Sequence, residues 1–105
     1  MPYYVYVIEL DKQILQSKKF RKQNQNLNPK KTCYYVGQSY HPPEERFKQH
    51  KQGYKANTFV TKYGIKLHPR KYKKYNPIKT RQQAEQTEQY LTQKLRKKGH
   101  GVWSH

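Results

Sequence analysis

The hydrophobic residues of the chain fall into a few short runs separated by long polar stretches. The first run, residues 4–10, is almost continuous and rich in β-branched and aromatic residues, which predicts a central β-strand. A second run at residues 34–36 is closed by Gly37 and predicts another short strand. Two strands joined by a long connection most simply form an antiparallel pair.

Two helices are indicated downstream by their start and end signals. Residues 42–45, Pro-Pro-Glu-Glu, suit a first helical turn, because proline is tolerated there and carboxylates complement the helix dipole. This helix is expected to end near Gly53. Thr80 and Gln83 have the spacing of a capping box and predict a second helix that runs to Lys98.

The polar segments between these elements are harder to assign. Residues 11–33, dominated by Lys, Gln and Asn, are expected to form an insertion between the first two strands. In that insertion Asp11 is placed to cap a short helix. Residues 54–79 read as turns, with a helix stop followed by a strand at 63–67.

The last hydrophobic residues, Val102 and Trp103, predict a final edge strand or a tail packed on the sheet. Together the elements predict an α+β fold in a single domain spanning residues 1–105. Its sheet is expected to be small and mostly antiparallel, with about three strands, and flanked by helices.

The net charge of the chain indicates which class of partner it binds. The 105 residues carry 23 Lys and Arg against 6 Asp and Glu, a formal net charge of +17. Such an excess favours a polyanionic partner, above all a nucleic acid. Few residues of the other large apolar types are present, and the 11 tyrosines supply much of the apolar area. The predicted core is therefore thin and rich in tyrosine.

The expected location is intracellular, either cytoplasmic or associated with the nucleoid. No apolar run approaches 18 residues, and no basic segment followed by an apolar one opens the chain, so neither a membrane span nor a secretory signal is expected. The lone Cys33 excludes an internal disulfide and suits a reducing compartment. The histidines lack the spacing of zinc ligands.

A carboxylate in the predicted second helix is the most informative residue. Ala84, Leu91 and Leu95 form an apolar stripe at helical spacing, and Glu88 falls inside it, whereas Glu85 lies off it. An unpaired buried charge is costly, so Glu88 should meet either a Lys or Arg side chain or a metal ion. The spacing leaves both possibilities open.

Arg46 and His50, at positions i and i+4, share one face of the first predicted helix. They offer a phosphate donor beside a group that exchanges protons near neutrality, but from this pair alone a basic face that simply contacts a nucleic-acid backbone is the better explanation. The four tyrosines of the predicted strands are expected in the core or in cross-strand pairs.

Four motifs in the same order resemble those of the GIY-YIG nuclease domain family: Tyr4-Val5-Tyr6, Tyr35-Val36-Gly37, Arg46-x-x-x-His50 and Ala84-x-x-x-Glu88. Each alone would be a common accident, but the ordered set is not. The resemblance covers nearly the whole chain. In this respect the chain is similar to the small stand-alone members of the family. It implies metal-dependent hydrolysis of DNA, as a duplex or a branched structure.

The resemblance also implies roles for five residues. Glu88 would hold one divalent ion, Mg²⁺ or Mn²⁺, and Arg46 would neutralise the scissile phosphate. Tyr6 and Tyr35 match the two motif tyrosines, one of which would activate or orient the attacking water. His50 would accept a proton or hold that tyrosine.

Further residues are assigned by the same resemblance and by charge. Where the family has an Asn near its C-terminus, this chain has histidines, and either His100 or His105 takes over its hydrogen bonding or activity is reduced. Residues expected to contact the nucleic acid are Arg46, Lys48, Lys73 and Lys74.

Two other functions compete with that of a nuclease. A basic, tyrosine-rich domain can bind nucleic acid without cutting it, through phosphate contacts and stacking on unpaired bases. A structural component of a ribonucleoprotein also suits the charge, but it leaves the inward carboxylate of Glu88 without a purpose.

Overall fold

A four-stranded mixed sheet lies at the centre of the computed structural model, which describes residues 2–104. Its strands are Tyr4–Leu10 (β1), Cys33–Ser39 (β2), Gly64–Leu67 (β3) and Val102–Trp103 (β4), in the order β3-β1-β2-β4. β1 pairs antiparallel with β2 and with β3, and β4 pairs parallel with β2. The α+β prediction is confirmed. The sheet has one strand more than expected, because the C-terminal residues add a short parallel edge.

Four helices surround the sheet: Lys18–Gln23 (α1), Pro43–Lys51 (α2), Thr58–Tyr63 (α3) and Arg81–Lys97 (α4). Three 3₁₀ turns complete the described elements, at Lys12–Gln16, Pro69–Lys71 and Lys73–Tyr75. Within residues 2–104, no helix combines the length and apolar character needed to cross a lipid bilayer.

The two long helices begin and end where their sequence signals place them. The Thr80 side chain accepts a hydrogen bond from the backbone N–H of Gln83, and this contact caps α4. Past the end of α2, Gly53 has a φ of +82°, the left-handed conformation that closes a helix. The helix stop expected at 63–67 is the junction of α3 with β3.

The segment between β1 and β2 is mostly exposed, but two of its side chains complete the core. Asp11 caps the 3₁₀ turn and Ser17 caps α1, so the one short helix expected here is divided into a 3₁₀ turn and an α-helix. From these two turns Ile14 and Phe20 project into the interior with no exposed surface. Burying two large apolar side chains compensates for the low apolar content of the chain.

Strand alternation places different chemistry on the two faces of the β1–β2 pair. Ile8 lies opposite Tyr35 and Glu9 lies opposite Tyr34 in the ladder. Since successive side chains point to opposite faces, Tyr6, Ile8 and Tyr35 share one face, and Glu9 and Tyr34 share the other. The core is tyrosine-rich as expected, with Tyr6, Tyr34, Tyr35 and Tyr72 all buried.

The strand end that carries Tyr6 is held by a side chain as well as by backbone. Asn76 accepts a hydrogen bond from the Val5 N–H at 2.9 Å and donates one to the Val5 carbonyl at 2.8 Å. The amide thus replaces a neighbouring strand at this point of β1. An isolated bridge between Tyr3 and Ile78 extends the same support.

Candidate active site

Two tyrosines from adjacent strands close over a glycine. Tyr6 lies across from Gly37 in the ladder, and the Tyr6 and Tyr35 ring centroids are 6.1 Å apart. A Cβ atom on Gly37 would lie 2.6 Å from the Tyr6 hydroxyl oxygen and 2.8 Å from Cε2 of Tyr35. Any side chain at this position would push the rings away, so Gly37 allows the pair to form.

His50 of α2 meets this pair from above the strands. Its Nε2 lies 3.0 Å from the Tyr6 hydroxyl, and its Nδ1 accepts a hydrogen bond from the Asn57 backbone N–H at 3.3 Å. Because Nδ1 is an acceptor, the proton of the neutral ring is on Nε2, which therefore donates to Tyr6. In this tautomer the imidazole is a hydrogen-bond donor to the Tyr6 oxygen.

The Tyr6 oxygen receives a second hydrogen bond, from the Tyr35 hydroxyl. Burial raises the pKa of Tyr6 to about 12, while the nearby Arg46 guanidinium lowers it and Glu88 raises it. Burial also raises the pKa of Tyr35, which as the donor is disfavoured as an anion. Of the two hydroxyls, Tyr6 is therefore the one whose anion its neighbours support.

Arg46 lies one helical turn before His50 on α2 and is fixed by the loop that follows this helix. Its guanidinium donates to the carbonyl oxygens of Tyr54 at 3.2 Å and Lys55 at 2.7 Å, and to the Gln49 side chain at 3.1 Å. Three of the five guanidinium N–H donors are used in these contacts. The side chain is thereby held beside Tyr6, where its positive charge stabilises the phenolate.

Glu88 faces inward from α4, as its place in the apolar stripe predicts. The residue is 6% exposed, between the buried Ala84 and Leu91, whereas more than half of the Glu85 side chain is exposed. Its charge raises the pKa values of both Tyr6 and Tyr35, so the carboxylate lies close to the tyrosine pair. The structure therefore brings together Tyr6, Tyr35, Arg46, His50 and Glu88, hereafter the Glu88 cluster.

The surroundings of Glu88 favour one of its two possible partners, a Lys or Arg side chain or a metal ion. Its Oε2 atom is buried without a hydrogen-bond partner. The three ion pairs within residues 2–104 join His41 to Glu45, Glu9 to His68 and Arg81 to Glu85. No Lys or Arg of the described residues forms an ion pair with Glu88, and burial raises its pKa to about 7. An unpartnered buried carboxylate oxygen fits a cation ligand better than half of an ion pair.

The donor set around this carboxylate suits a hard divalent ion. Within residues 2–104 no group of three or more His, Cys, Asp or Glu side chains is placed to hold a metal. Glu88 would thus be the single carboxylate ligand, and Mg²⁺ retains several waters in such sites. Binding of the ion would also favour the ionised form of the carboxyl group.

A cavity of about 350 Å³ opens beside Arg46. It is lined by Tyr3, Gln38, Ser39, Tyr40, His41, Arg46, Gln49, Tyr54, Lys55 and Arg81. Of the Glu88 cluster, Arg46 is the member that lines this cavity, and Arg81 lies two turns before Glu88 on the same face of α4. A phosphate in the cavity would therefore meet Arg46 next to the buried tyrosines.

The other predicted contact residues lie outside this arrangement. Lys48, Lys73 and Lys74 are exposed, but they are not part of the cavity lining. The Nδ1 of His100 lies 2.8 Å from the Thr32 carbonyl, and its ring is 4.9 Å from that of Tyr34, on the face opposite Tyr6. His105 lies outside the described residues.

The cavity also contains residues that sequence reasoning missed, among them Tyr40, Tyr54, Lys55 and Arg81. One of them carries a local signal: Arg81 is the first residue of α4, where a positive charge opposes the helix dipole. The ion pair with Glu85 offsets part of this charge, so the position is only a weak signal of an anionic ligand. The two tyrosines carry no such signal, since nothing in the sequence separates an exposed tyrosine from a buried one.

Comparison with known proteins yields one match. A family model described as the GIY-YIG catalytic domain matches residues 2–100 of the chain. No curated protein and no solved structure matches it.

Proposed function

The chain belongs to the GIY-YIG family of nuclease catalytic domains, and from this membership we propose that it is a divalent-metal-dependent endonuclease that hydrolyses DNA phosphodiester bonds. One observation carries the proposal: a buried carboxylate without a hydrogen-bond partner on Oε2 lies next to a hydrogen-bonded pair of tyrosine hydroxyls and an arginine. A domain that only binds DNA has no use for a buried negative charge near its phosphate ligand.

The proposed cofactor is one Mg²⁺ or Mn²⁺ ion with Glu88 as its protein ligand. When bound, such an ion offsets negative charge on the phosphate and on the leaving oxygen. The contribution of Glu88 itself is to provide a buried carboxylate oxygen that no described residue pairs, which is the kind of oxygen ligand that such an ion prefers.

Tyr6 is the proposed general base. Its oxygen accepts hydrogen bonds from the His50 Nε2–H and the Tyr35 hydroxyl, and the positive charge of Arg46 is close by. These three groups stabilise the phenolate, which would remove a proton from the attacking water. With a pKa of about 12, Tyr6 is protonated at neutral pH, so the active fraction is small and rises with pH.

Arg46 is the proposed phosphate ligand. Contacts to two loop carbonyls fix its guanidinium before substrate arrives, so no reorganisation is needed when charge builds on the phosphate. His50 is a positioning residue, oriented by the Asn57 N–H and acting through Tyr6.

The proposed partner is duplex or branched DNA, bound in the cytoplasm or on the nucleoid. Exposed lysines such as Lys48, Lys73 and Lys74 would add phosphate contacts away from the cavity, so affinity should fall steeply as salt rises.

The proposal is tested by incubating the protein with supercoiled plasmid and with branched DNA in Mg²⁺ or Mn²⁺. We expect nicked or linear products that disappear with a chelator and in the Glu88→Ala variant. Binding should persist in that variant, because removal of a negative charge does not weaken phosphate contacts. Cleavage by the variant at the wild-type rate would rule out the proposed role of Glu88, and binding without cleavage by the wild type would favour a non-catalytic module.

A further inference from the structure

Two exposed aromatic side chains stand at the rim of the cavity that Arg46 lines. Tyr40 is 56% exposed and Tyr54 is 55% exposed. Most large apolar side chains of the described residues are buried, and Ile65 and Tyr90 are the remaining exposed ones. A pair of solvated aromatic rings at one cavity is therefore not explained by the packing of the core.

The backbone that carries Tyr40 is ordered by local hydrogen bonds. Tyr40 directly follows β2, and the side chain of Ser39 accepts a hydrogen bond from the His41 N–H at 2.9 Å. The Tyr40 and His41 rings are 4.2 Å apart and inclined by 34°. This turn presents the tyrosine ring to solvent next to a second flat ring.

Tyr54 is tied directly to the proposed phosphate ligand. Arg46 donates hydrogen bonds to the carbonyls of Tyr54 and Lys55, so the loop and the guanidinium are fixed relative to each other. Lys55 has a φ of 42°, an uncommon conformation for a lysine, and its Nζ lies 5.6 Å above the Tyr54 ring. The loop thus places an aromatic face and a cation within reach of one phosphate site.

The charge of the cavity matches these rings. Arg46, Lys55 and Arg81 contribute three cations, and no Asp or Glu occurs among the described lining residues. Cations beside flat aromatic faces suit a ligand that alternates phosphates with planar bases. In a fully paired duplex the base faces are covered by their neighbours, so the rings could stack only on bases that are unpaired.

We propose that Tyr40 and Tyr54 stack on unpaired bases of a DNA strand whose phosphate lies at Arg46, and that the preferred substrate carries unpaired nucleotides beside the cleaved bond. The preference for cleavage depends on the nuclease function proposed above. The stacking does not, because it involves residues outside the Glu88 cluster.

Binding without cleavage tests the stacking. The full chain is titrated, in a chelator, into a single-stranded oligonucleotide that contains 2-aminopurine, whose fluorescence falls when the base stacks on an aromatic ring. We expect quenching by the wild type and a loss of affinity of about 5- to 100-fold in Tyr40→Ala and in Tyr54→Ala. Tyr54→Phe keeps the ring and should bind within about twofold of the wild type.

An equally exposed tyrosine that lies outside the cavity provides a matched control. Tyr90 of α4 is 53% exposed and contacts the Tyr75 ring, but it is not among the cavity residues. Tyr90→Ala should leave affinity and quenching unchanged. Equal losses in Tyr90→Ala and Tyr54→Ala, with all variants folded by circular dichroism, would overturn the proposal, because the effect would then not belong to the cavity.

Cleavage provides the second arm. In Mg²⁺, a duplex with an unpaired flap or bulge should be cut at least about tenfold faster than the same duplex fully paired, and Tyr54→Ala should reduce that ratio towards one. Quenching without cleavage of any DNA would remove the nuclease function and leave the stacking supported. Equal cleavage of paired and unpaired DNA, without quenching, would overturn the stacking and leave the nuclease function intact.

Discussion

Two clusters on opposite faces of the β1–β2 pair both combine a glutamate with tyrosine and histidine. They differ in what surrounds the glutamate. The Glu88 cluster combines a carboxylate, a histidine, two tyrosines and an arginine. The other cluster, here the Glu9 cluster, consists of Glu9, Tyr34, His68 and His100. Glu9 lies 2.7 Å from Nε2 of His68, and the Tyr34 ring contacts the rings of His68 and His100 at 5.3 and 4.9 Å.

The difference lies in the carboxylate. Glu9 lies 2.7 Å from a His68 nitrogen and about a quarter of its side chain is exposed, so its carboxylate has both a partner and contact with solvent. Glu88 is buried, and its Oε2 has no partner among the described residues. A set of ionisable residue types therefore does not define a reactive site. What distinguishes the Glu88 cluster is a buried carboxylate oxygen that no described residue pairs, which is where the proposed cation would bind.

The largest expected effect is on the rate of DNA cleavage, which should depend on Glu88 and not on Glu9. Glu88→Gln keeps the shape of the side chain but removes the proposed metal ligand, so single-turnover DNA cleavage in Mg²⁺ should fall by about 1,000-fold. Glu9→Gln, its counterpart across the sheet, should cut DNA within about threefold of the wild-type rate. Equal losses of cleavage rate in the two variants would show that the difference between the two carboxylates does not affect activity.

The two carboxylates should also differ in their effect on stability. Here Glu88→Gln, the substitution that lowers activity, should be the stabilising one. Burial raises the pKa of Glu88 from its usual 4.5 to about 7, so the folded protein binds a proton that the unfolded chain has already released. The ionised carboxylate therefore destabilises the metal-free fold, with stability present below pH 4.5 and lost as the pH rises through 7. Relative to Glu88→Gln, the wild type should lose about 3 kcal/mol of unfolding free energy across that window.

Denaturant titrations in a chelator at several pH values measure this loss. At pH 8 the Glu88→Gln variant should be more stable than the wild type, whereas Glu9→Gln should change stability by less than about 1 kcal/mol, because its contact with His68 is partly exposed and a glutamine can still accept a hydrogen bond there. Added Mg²⁺ should stabilise the wild type more at pH 8 than at pH 5. A wild-type stability that rises between pH 5 and 8 relative to Glu88→Gln would contradict the assignment.

The tyrosine hydroxyls offer a third contrast. Tyr6→Phe removes the proposed base and keeps the ring, and cleavage should slow by about 100-fold. Tyr34→Phe, on the other face, should change the rate little. Because the pKa of Tyr6 is about 12, the wild-type rate should rise with pH through the alkaline range, and this slope should flatten in Tyr6→Phe. An unchanged pH profile in that variant would exclude Tyr6 as the base.

The smallest effect concerns the histidines. His50→Ala removes the donor that orients Tyr6, so the rate should fall by about tenfold while substrate affinity stays the same. His68→Ala removes only the partner of Glu9 and should leave the rate unchanged. The pH–rate profile distinguishes positioning from packing: loss of the His50 donor should shift the Tyr6 limb to higher pH, and a merely structural loss would not.

Much of this arrangement could be predicted from local pattern. The position of Glu88 follows from helical periodicity, because a face repeats every three to four residues whatever the helix packs on. The start of α4 follows from the Thr80 cap, and the ends of α2 follow from a proline in its first turn and from Gly53 just beyond its last. The inserted segment was less predictable, since the burial of Ile14 and Phe20 depends on contacts with distant strands.

The sequence by itself determined the α+β class, the basic surface, the family and the inward turn of one carboxylate, because charge, periodicity and ordered motifs are local properties of the chain. Only the tertiary structure decided what surrounds that carboxylate. The absence of an ion-pair partner for Glu88 among the described residues, the direction of the hydrogen bond from His50 to Tyr6, and the exposure of Tyr40 and Tyr54 beside Arg46 all depend on residues far apart in sequence. Their relative positions are fixed by packing, which no local pattern encodes.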